Sequence, residues 1–212
     1  MCVECRYYDV TELGDPESFS AAMAALPWSA RRESVLRFRR GEDRRLCLGA
    51  GILAAHMLRE AGAADLTLSR DENGKPFLLR CPSIHFNISH SGTMAVCAVA
   101  DRPVGVDTEK KGVDPGEIGE ICFRPREREW ISASPDPEEA FIRLWTRKES
   151  YLKLTGTGLA VAPDTFSVLP GEAPEDGIAW KEERVGEYLI CVCTRGERKV
   201  IFRPWRYGAE FT

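Results

Sequence analysis

Val104-Gly105-Val106-Asp107-Thr108-Glu109 follows a wholly apolar run, Met94-Ala95-Val96-Cys97-Ala98-Val99-Ala100, across the turn Asp101-Arg102-Pro103. The run predicts a buried strand and the hexapeptide a second one. Side chains alternate faces along a strand. Val104 and Val106 therefore point one way, and Gly105, Asp107 and Glu109 the other. Two carboxylates on one face, beside a residue with no side chain, repel each other, and each favours its neutral form unless a cation lies between them. Taken alone, the pair is a solvated strand end running into Lys110 and Lys111.

Upstream of this stretch the pattern is β-α-β-β-β. Residues 3–10 form a short strand. Pro16 to Trp28 carries Phe19, Ala22, Met23 and Leu26 at helical spacing, with Asp15 as cap. A basic stretch, 31–40, precedes a strong helix from Arg44 to about Glu60, in which His56 lies on the apolar stripe as a core-edge histidine. Short strands follow at 66–68, 77–79 and 84–89, the first two joined by the turn Asp71-Glu72-Asn73-Gly74-Lys75-Pro76. His90-Ser91-Gly92 turns the chain into 94–100.

Downstream, Ile118 to Trp130 is partly helical, with a break at Pro125. Pro137, followed by Glu138 and Glu139, starts a helix that Thr155-Gly156-Thr157-Gly158 stops. Strands follow at about 164–168, 178–185, 187–194 and 198–204. The fold class is α+β in two similar halves, 1–103 and 104–212, with no repeat at the level of individual residues.

The 212 residues include 43% hydrophobic and 29% charged side chains, a globular balance. A net charge of -4 gives no overall pull toward nucleic acid or anionic membrane, so any anion site must be a local cluster. The eight cysteines are scattered through apolar and alternating runs as packing thiols. Cys2 and Cys5 form a C-x-x-C without a second pair to complete a zinc site. No signal sequence or membrane-length apolar run is present, which places the chain in a reducing cytoplasm.

On the helix after Pro137, Trp145, Glu149 and Lys153 stack at i, i+4, i+8. A Glu–Lys pair on a solvated face, worth roughly 0.2–0.5 kcal/mol, accounts for two of them. It does not account for the Trp on the same side. If this helix packs so that Glu149 meets Asp107 and Glu109, three carboxylates converge with one ammonium nearby. All-oxygen ligation without His or Cys at suitable spacing points to Mg²⁺ rather than Zn²⁺. Mg²⁺ held by a few carboxylates completes its shell with water and substrate phosphates, which implies phosphoryl chemistry. Candidate phosphate donors are Arg31, Arg39, Arg45, Lys75, and Ser89 and His90 in Ser89-His90-Ser91-Gly92.

Four motifs in order, Gly74-Lys75-Pro76, Phe86-Asn87-Ile88-Ser89-His90-Ser91-Gly92, Val104-Gly105-Val106-Asp107-Thr108-Glu109 and Trp145-Thr146-Arg147-Lys148-Glu149-Ser150-Tyr151-Leu152-Lys153, carry a likeness. With them the chain resembles the 4′-phosphopantetheinyl transferase superfamily, of the surfactin-synthetase-activator type. The resemblance implies a monomer of two α+β halves related by a pseudo-twofold, with the active site between them. It implies transfer of phosphopantetheine from coenzyme A to a serine of an apo acyl or peptidyl carrier protein, with release of 3′,5′-ADP and without nucleic acid or membrane partners. It places Asp107, Glu109 and Glu149 at Mg²⁺ (Mn²⁺ as substitute). Glu149, or a water held by Glu109, takes the serine proton, and Lys153 serves the leaving phosphate. Lys75, Ser89, His90, Arg45, Arg31 and Lys148 become coenzyme A contacts. Asn73 stands where relatives often have an aromatic residue. Ile118, Ile121, Cys122 and Phe123 are either a carrier-docking patch or core. Two other readings keep the same residues: a non-catalytic coenzyme A or nucleotide-binding module, and a Mg²⁺-dependent phosphohydrolase.

Overall fold

All seven residues of Met94–Ala100 are buried, and they divide by parity. Ala95, Cys97 and Val99 pack into one apolar cluster, while Met94, Val96, Ala98 and Ala100 pack into another. A strand buried on both faces needs a layer on each, and the molecule supplies them. A computed structural model of the chain describes residues 2–112 and 121–208. The first sheet has the order β4-β5-β1-β9, with β1 Val3–Asp9, β4 His85–Ser91, β5 Met94–Ala100 and β9 Val200–Pro204. The second has the order β6-β8-β7, with β6 Val104–Lys110, β7 Ile178–Val185 and β8 Tyr188–Arg195. A small ribbon pairs β2 Leu68–Arg70 with β3 Pro76–Leu78.

The two large sheets face each other through Val3, Cys5, Val96, Val104, Ile190 and Val192. The helices lie outside. In the first half these are α1 Pro16–Ala25, α2 Ser29–Arg37 and α3 Gly41–Glu60; in the second, α4 Pro125–Ser132 and α5 Pro137–Thr155. The result is four layers, helix, sheet, sheet, helix, in a mixed α+β architecture.

Local signals set the helix ends. Asp15 Oδ2 accepts from the Ser18 N–H at 2.8 Å, and Asp136 Oδ1 from the Glu139 N–H at 3.0 Å, so both helices start on carboxylate caps with proline in the first turn. Gly156 ends α5 with φ +75°, a left-handed turn that glycine enters without a Cβ clash. His56 is a core-edge residue, its Nε2 2.9 Å from Arg6 Nη1 and 3.3 Å from Glu60. All eight cysteines are free thiols.

Several expectations are corrected. Residues 31–37 of the basic stretch belong to α2, residues 38–40 join it to α3, and α3 begins at Gly41, not Arg44. The break expected at Pro125 is present: residues 121–122 are helical, 123–124 are not, and Pro125 starts α4, since proline fits the first turn. Ile118 lies outside the described residues. Residues 163–165 form a 3-10 turn rather than a strand. The strand at 200–204 does not complete the second half. It runs parallel to β1 in the first half's sheet, and Trp205 and Tyr207 pack into the first core behind it. The division near residue 103 therefore separates two sheets but not two independent lengths of chain.

Gly105 is explained by packing. A Cβ built there would lie 1.9 Å from the Ser150 carbonyl oxygen and 2.5 Å from the Leu154 nitrogen. The missing side chain lets α5 lie directly on β6; space for a metal or its phosphates is not what the position provides. Gly105→Ala is expected to cost about 3 kcal/mol, because the clash is with backbone that cannot rotate away. A urea-unfolding midpoint unchanged from wild type would show that the helix rides higher on the strand than described.

Candidate active site

The site lies where β4 and β6, the facing edges of the two sheets, run side by side. They share no backbone ladder. Instead, alternate residues of β4 reach across. Asn87 Oδ1 accepts from the Val106 N–H at 2.9 Å. Ser89 Oγ donates to Asp107 Oδ1 at 2.7 Å, and Ser91 Oγ donates to Glu109 Oε2 at 2.8 Å. Ser91 Oγ also accepts from the Lys110 N–H at 3.2 Å. The period of two that places Gly105, Asp107 and Glu109 on one face of β6 thus meets the same period in 87, 89 and 91. The segment Ser89-His90-Ser91 is strand, not turn, and the reversal comes at Gly92 and Thr93.

Helix α5 covers this face and brings Trp145, Glu149 and Lys153. Lys153 Nζ is 2.6 Å from Asp107 Oδ1 and donates to Ser89 Oγ at 2.8 Å. The Trp145 indole N–H donates to Glu109 Oε1 at 3.3 Å, so the Trp shares the polar side of the helix to hold a carboxylate. Glu109 is gripped at both oxygens, whereas Glu149 accepts no hydrogen bond among the described residues. Asp107 is 3% exposed, and its Oδ2 is buried with no partner.

The electrostatics follow from this crowding. Burial, then the Asp107 charge, raises the Glu109 pKa above the ordinary carboxylate value, against the bonds from Ser91 and Trp145. Burial and then Asp107 raise that of Glu149 as well, with Lys153 opposing. His90 is exposed, yet desolvation by its surroundings, followed by the positive charges of Arg31 and Lys153, lowers its pKa. Arg31 is half-buried, and its Nε donates to the Cys47 carbonyl at 2.9 Å. Gly51 makes room for it, since a Cβ there would lie 2.8 Å from Arg31 Cδ. A cavity of about 290 Å³ opens beside the cluster, lined by Asn73, Pro76, Asn87, Glu149 and Lys153 among others. A groove of about 880 Å³ runs along the first half past Trp28, Arg31, Phe38, Arg70, Phe86 and Ile88.

Asp107, Glu109, Glu149, Lys153 and Ser89 are thus neighbours, while His90, out of step with Ser89 and Ser91 on β4, lies on the other face of the strand near Arg31. The other candidates are placed differently. No hydrogen bond or ion pair links Arg45 to the cluster among the described residues. Lys148 is corrected outright. It is fully buried on the far side of α5, 2.8 Å from Glu127 Oε2, and it donates to the Pro163 and Phe166 carbonyls at 2.8 and 2.7 Å. It anchors α4 and the 163–168 segment and faces no phosphate site. Lys75 also turns its ammonium to backbone carbonyls. Asn87 and Ser91 were absent from the sequence-derived set, although their alternation with Ser89 was visible. Phe123 is core, 2% exposed, while Ile121 is 66% exposed.

Among the described residues no group of three or more His, Cys, Asp or Glu side chains is arranged to cage a metal ion, and no helix is long and apolar enough to cross a membrane. A family model described as 4′-phosphopantetheinyl transferase superfamily matches residues 103–194. One described as 4′-phosphopantetheinyl transferase, N-terminal, matches residues 14–102. A 4′-phosphopantetheinyl transferase of Bacillus subtilis is 36% identical over 160 residues, covering 73% of this chain and 70% of the relative. The transferase psf-1 of Bacillus pumilus is 37% identical over 155 residues, 70% of this chain and 65% of the relative. The 4′-phosphopantetheinyl transferase HetI of Nostoc sp. is 35% identical over 159 residues, 70% of this chain and 67% of the relative. With both halves matched by family models and a relative 36% identical over 73% of the chain, the chain belongs to the 4′-phosphopantetheinyl transferase superfamily.

Proposed function

We propose that this chain transfers the 4′-phosphopantetheine group of coenzyme A to a serine hydroxyl of an apo acyl or peptidyl carrier protein, with Mg²⁺ or Mn²⁺, and releases 3′,5′-ADP. The observation that carries the reading is Asp107 Oδ2, buried and without a hydrogen-bond partner among the described residues, near two carboxylates whose pKa values its charge helps to raise. A buried acceptor without a donor is costly, and oxygen-only surroundings suit a hard cation. Asp107, with Glu109 and Glu149 beside it, would hold such a cation on oxygen donors alone, in an open site and not a closed protein cage. When bound, the cation neutralises charge that develops on the pyrophosphate.

The rest is done by side chains. Arg31, which lines the groove, and His90 near it take the nucleotide end of coenzyme A. The serine oxygen attacks the phosphorus that bears the pantetheine arm, and the bond from that phosphorus to the 3′,5′-ADP oxygen breaks. Glu149 takes the serine proton. Among the described residues it is the site carboxylate with no hydrogen bond to give up, and its raised pKa brings it nearer the working pH of a base. Glu109, held by Ser91 and Trp145, keeps its place as a ligand. Lys153 supplies a positive charge, or a proton, to the departing phosphate oxygen. One chain provides every group, so a cytoplasmic monomer suffices.

The test is incubation with coenzyme A, divalent cation and a panel of apo carriers, read by intact mass. Gain of the phosphopantetheinyl mass is the expected result. Hydrolysis of coenzyme A without transfer to any carrier would establish a phosphohydrolase instead, and binding without turnover a non-catalytic module.

A pH dependence follows. Carboxylates with raised folded-state pKa values favour the protonated form, so their contribution to stability is fully present below the unfolded value and is lost as pH rises through the raised one. Glu149→Gln is therefore expected to melt higher than wild type at neutral pH without divalent cation, with the difference vanishing in acid. Thermal melts at several pH values check this; a lower melting temperature for the variant at neutral pH would show that the Glu149 charge is already compensated.

A further inference from the structure

Lys75 sits in the turn between β2 and β3 of the first half, and its side chain crosses to the second. Its Nζ lies 2.6 Å from the Lys153 carbonyl oxygen, 3.0 Å from that of Leu154 and 3.4 Å from that of Val104. An ammonium has three N–H donors, and here each has a carbonyl to bond. The carbonyls of Lys153 and Leu154 belong to the last turn of α5. The final four carbonyls of a helix lack partners within it and carry the negative end of its dipole. A lysine that bonds them is a C-terminal cap, delivered from a position 78 residues earlier in the sequence.

The turn that delivers it is itself fixed. Asp71 Oδ1 accepts from the Lys75 N–H at 2.8 Å and the Asn73 N–H at 3.1 Å, and the Asp71 N–H donates to the Lys75 carbonyl at 3.0 Å. Gly156, the left-handed residue that ends α5, abuts the lysine stem: a Cβ there would lie 3.3 Å from Lys75 Cδ.

We infer that Lys75 is a positioning residue, not a coenzyme A ligand: it caps α5 and, by holding the Lys153 carbonyl, fixes the backbone from which the Lys153 side chain reaches Asp107. This deepens the transferase reading and rests on it. Both halves of the cleft meet at this ammonium, so its loss loosens the registry between the β4 and α5 sides of the site while leaving the nucleotide groove intact.

The experiment compares the wild-type chain with Lys75→Met and Lys75→Gln. Calorimetry gives the coenzyme A Kd at two salt concentrations, intact mass gives kcat and KM, and hydrogen exchange reads the amides of 149–156. For Lys75→Met the expected result is a Kd within about twofold of wild type with unchanged salt dependence, a kcat lower by roughly 10–100-fold, and faster exchange at the end of α5. Lys75→Gln, neutral but with N–H donors, is expected to recover part of kcat. A Kd weakened in step with kcat/KM, equally for Met and Gln and with a shallower salt dependence, would show that Lys75 holds a phosphate and overturn the inference. Should Lys75→Met not fold, Lys75→Gln alone decides by the same Kd criterion. If wild type itself binds no coenzyme A, the transferase reading fails. Hydrogen exchange still judges the cap, because unchanged rates at 149–156 in Lys75→Met overturn it without any ligand.

Discussion

Asp107→Ala is expected to reduce transfer by about 10²–10³-fold or more and to leave the chain folded. Asp107 is the most buried of the three site carboxylates, and it alone organises both neighbours. Ser89 and Lys153 converge on its Oδ1, and its Oδ2 is the open acceptor for a cation. Removing a preorganised charge-stabilising group of this kind costs two to three orders of magnitude in rate. The structural cost is smaller, about 1–3 kcal/mol, because the Lys153 side chain is 28% exposed and keeps its bond to Ser89 while water replaces the lost carboxylate. Rate by intact mass, with a thermal melt on the same sample, checks both parts. Full activity in Mg²⁺ would remove Asp107 from the metal site and leave it as a structural partner of Lys153.

The largest expected loss of stability lies elsewhere. Lys148 and Glu127 are both 0% exposed and 2.8 Å apart. Around them the Phe166 ring lies 4.7 Å from the ammonium, and Glu127 Oε1 accepts from the Val168 N–H at 3.0 Å. Burial lowers the Lys148 pKa, and the bond to Glu127 holds it back. Removing one partner strands a charge in apolar surroundings, at about 3–5 kcal/mol for Lys148→Met or Glu127→Leu. The double variant restores charge balance and is expected to lie well above either single in stability. Denaturant unfolding of the four proteins gives the coupling directly. Coenzyme A affinity of the folded Lys148→Met protein should match wild type. A selective loss of that affinity at wild-type stability would return Lys148 to the phosphate site.

What the sequence shows of this site follows its periodicities. The face shared by Asp107 and Glu109 is a period of two and needs nothing beyond the strand. The stack of Trp145, Glu149 and Lys153 is a helical period, bracketed by Pro137 and Gly156, whose chemistry marks the ends of α5. Roles set by contacts between distant residues were not readable in this way. Lys148 and Lys153 sit five residues apart on one helix, and only packing against Glu127 or Asp107 decides which one enters the core and which the cleft. Lys75 looks like any turn lysine until its ammonium is seen on the carbonyls of α5. Gly105 invites a metal-centred explanation because it neighbours Asp107, whereas its own face meets helix backbone. Residues 198–204 read as strand, but nothing in them names the sheet they join.

The return of β9 to the first sheet has a consequence for how the chain is made. β1 leaves the ribosome long before its neighbour β9, with every other strand of both sheets made in between. Until residues 200–204 emerge, the edge of β1 stays open to pairing with other chains, and Trp205 and Tyr207 are missing from the core that covers Tyr8 and His56. The first sheet is thus completed only after every strand of the second has emerged. A nascent or truncated chain can carry the whole Asp107–Glu149–Lys153 cluster and still lack the strand that closes the β1 edge, so the cost of truncation is expected in solubility and yield before it is expected in chemistry.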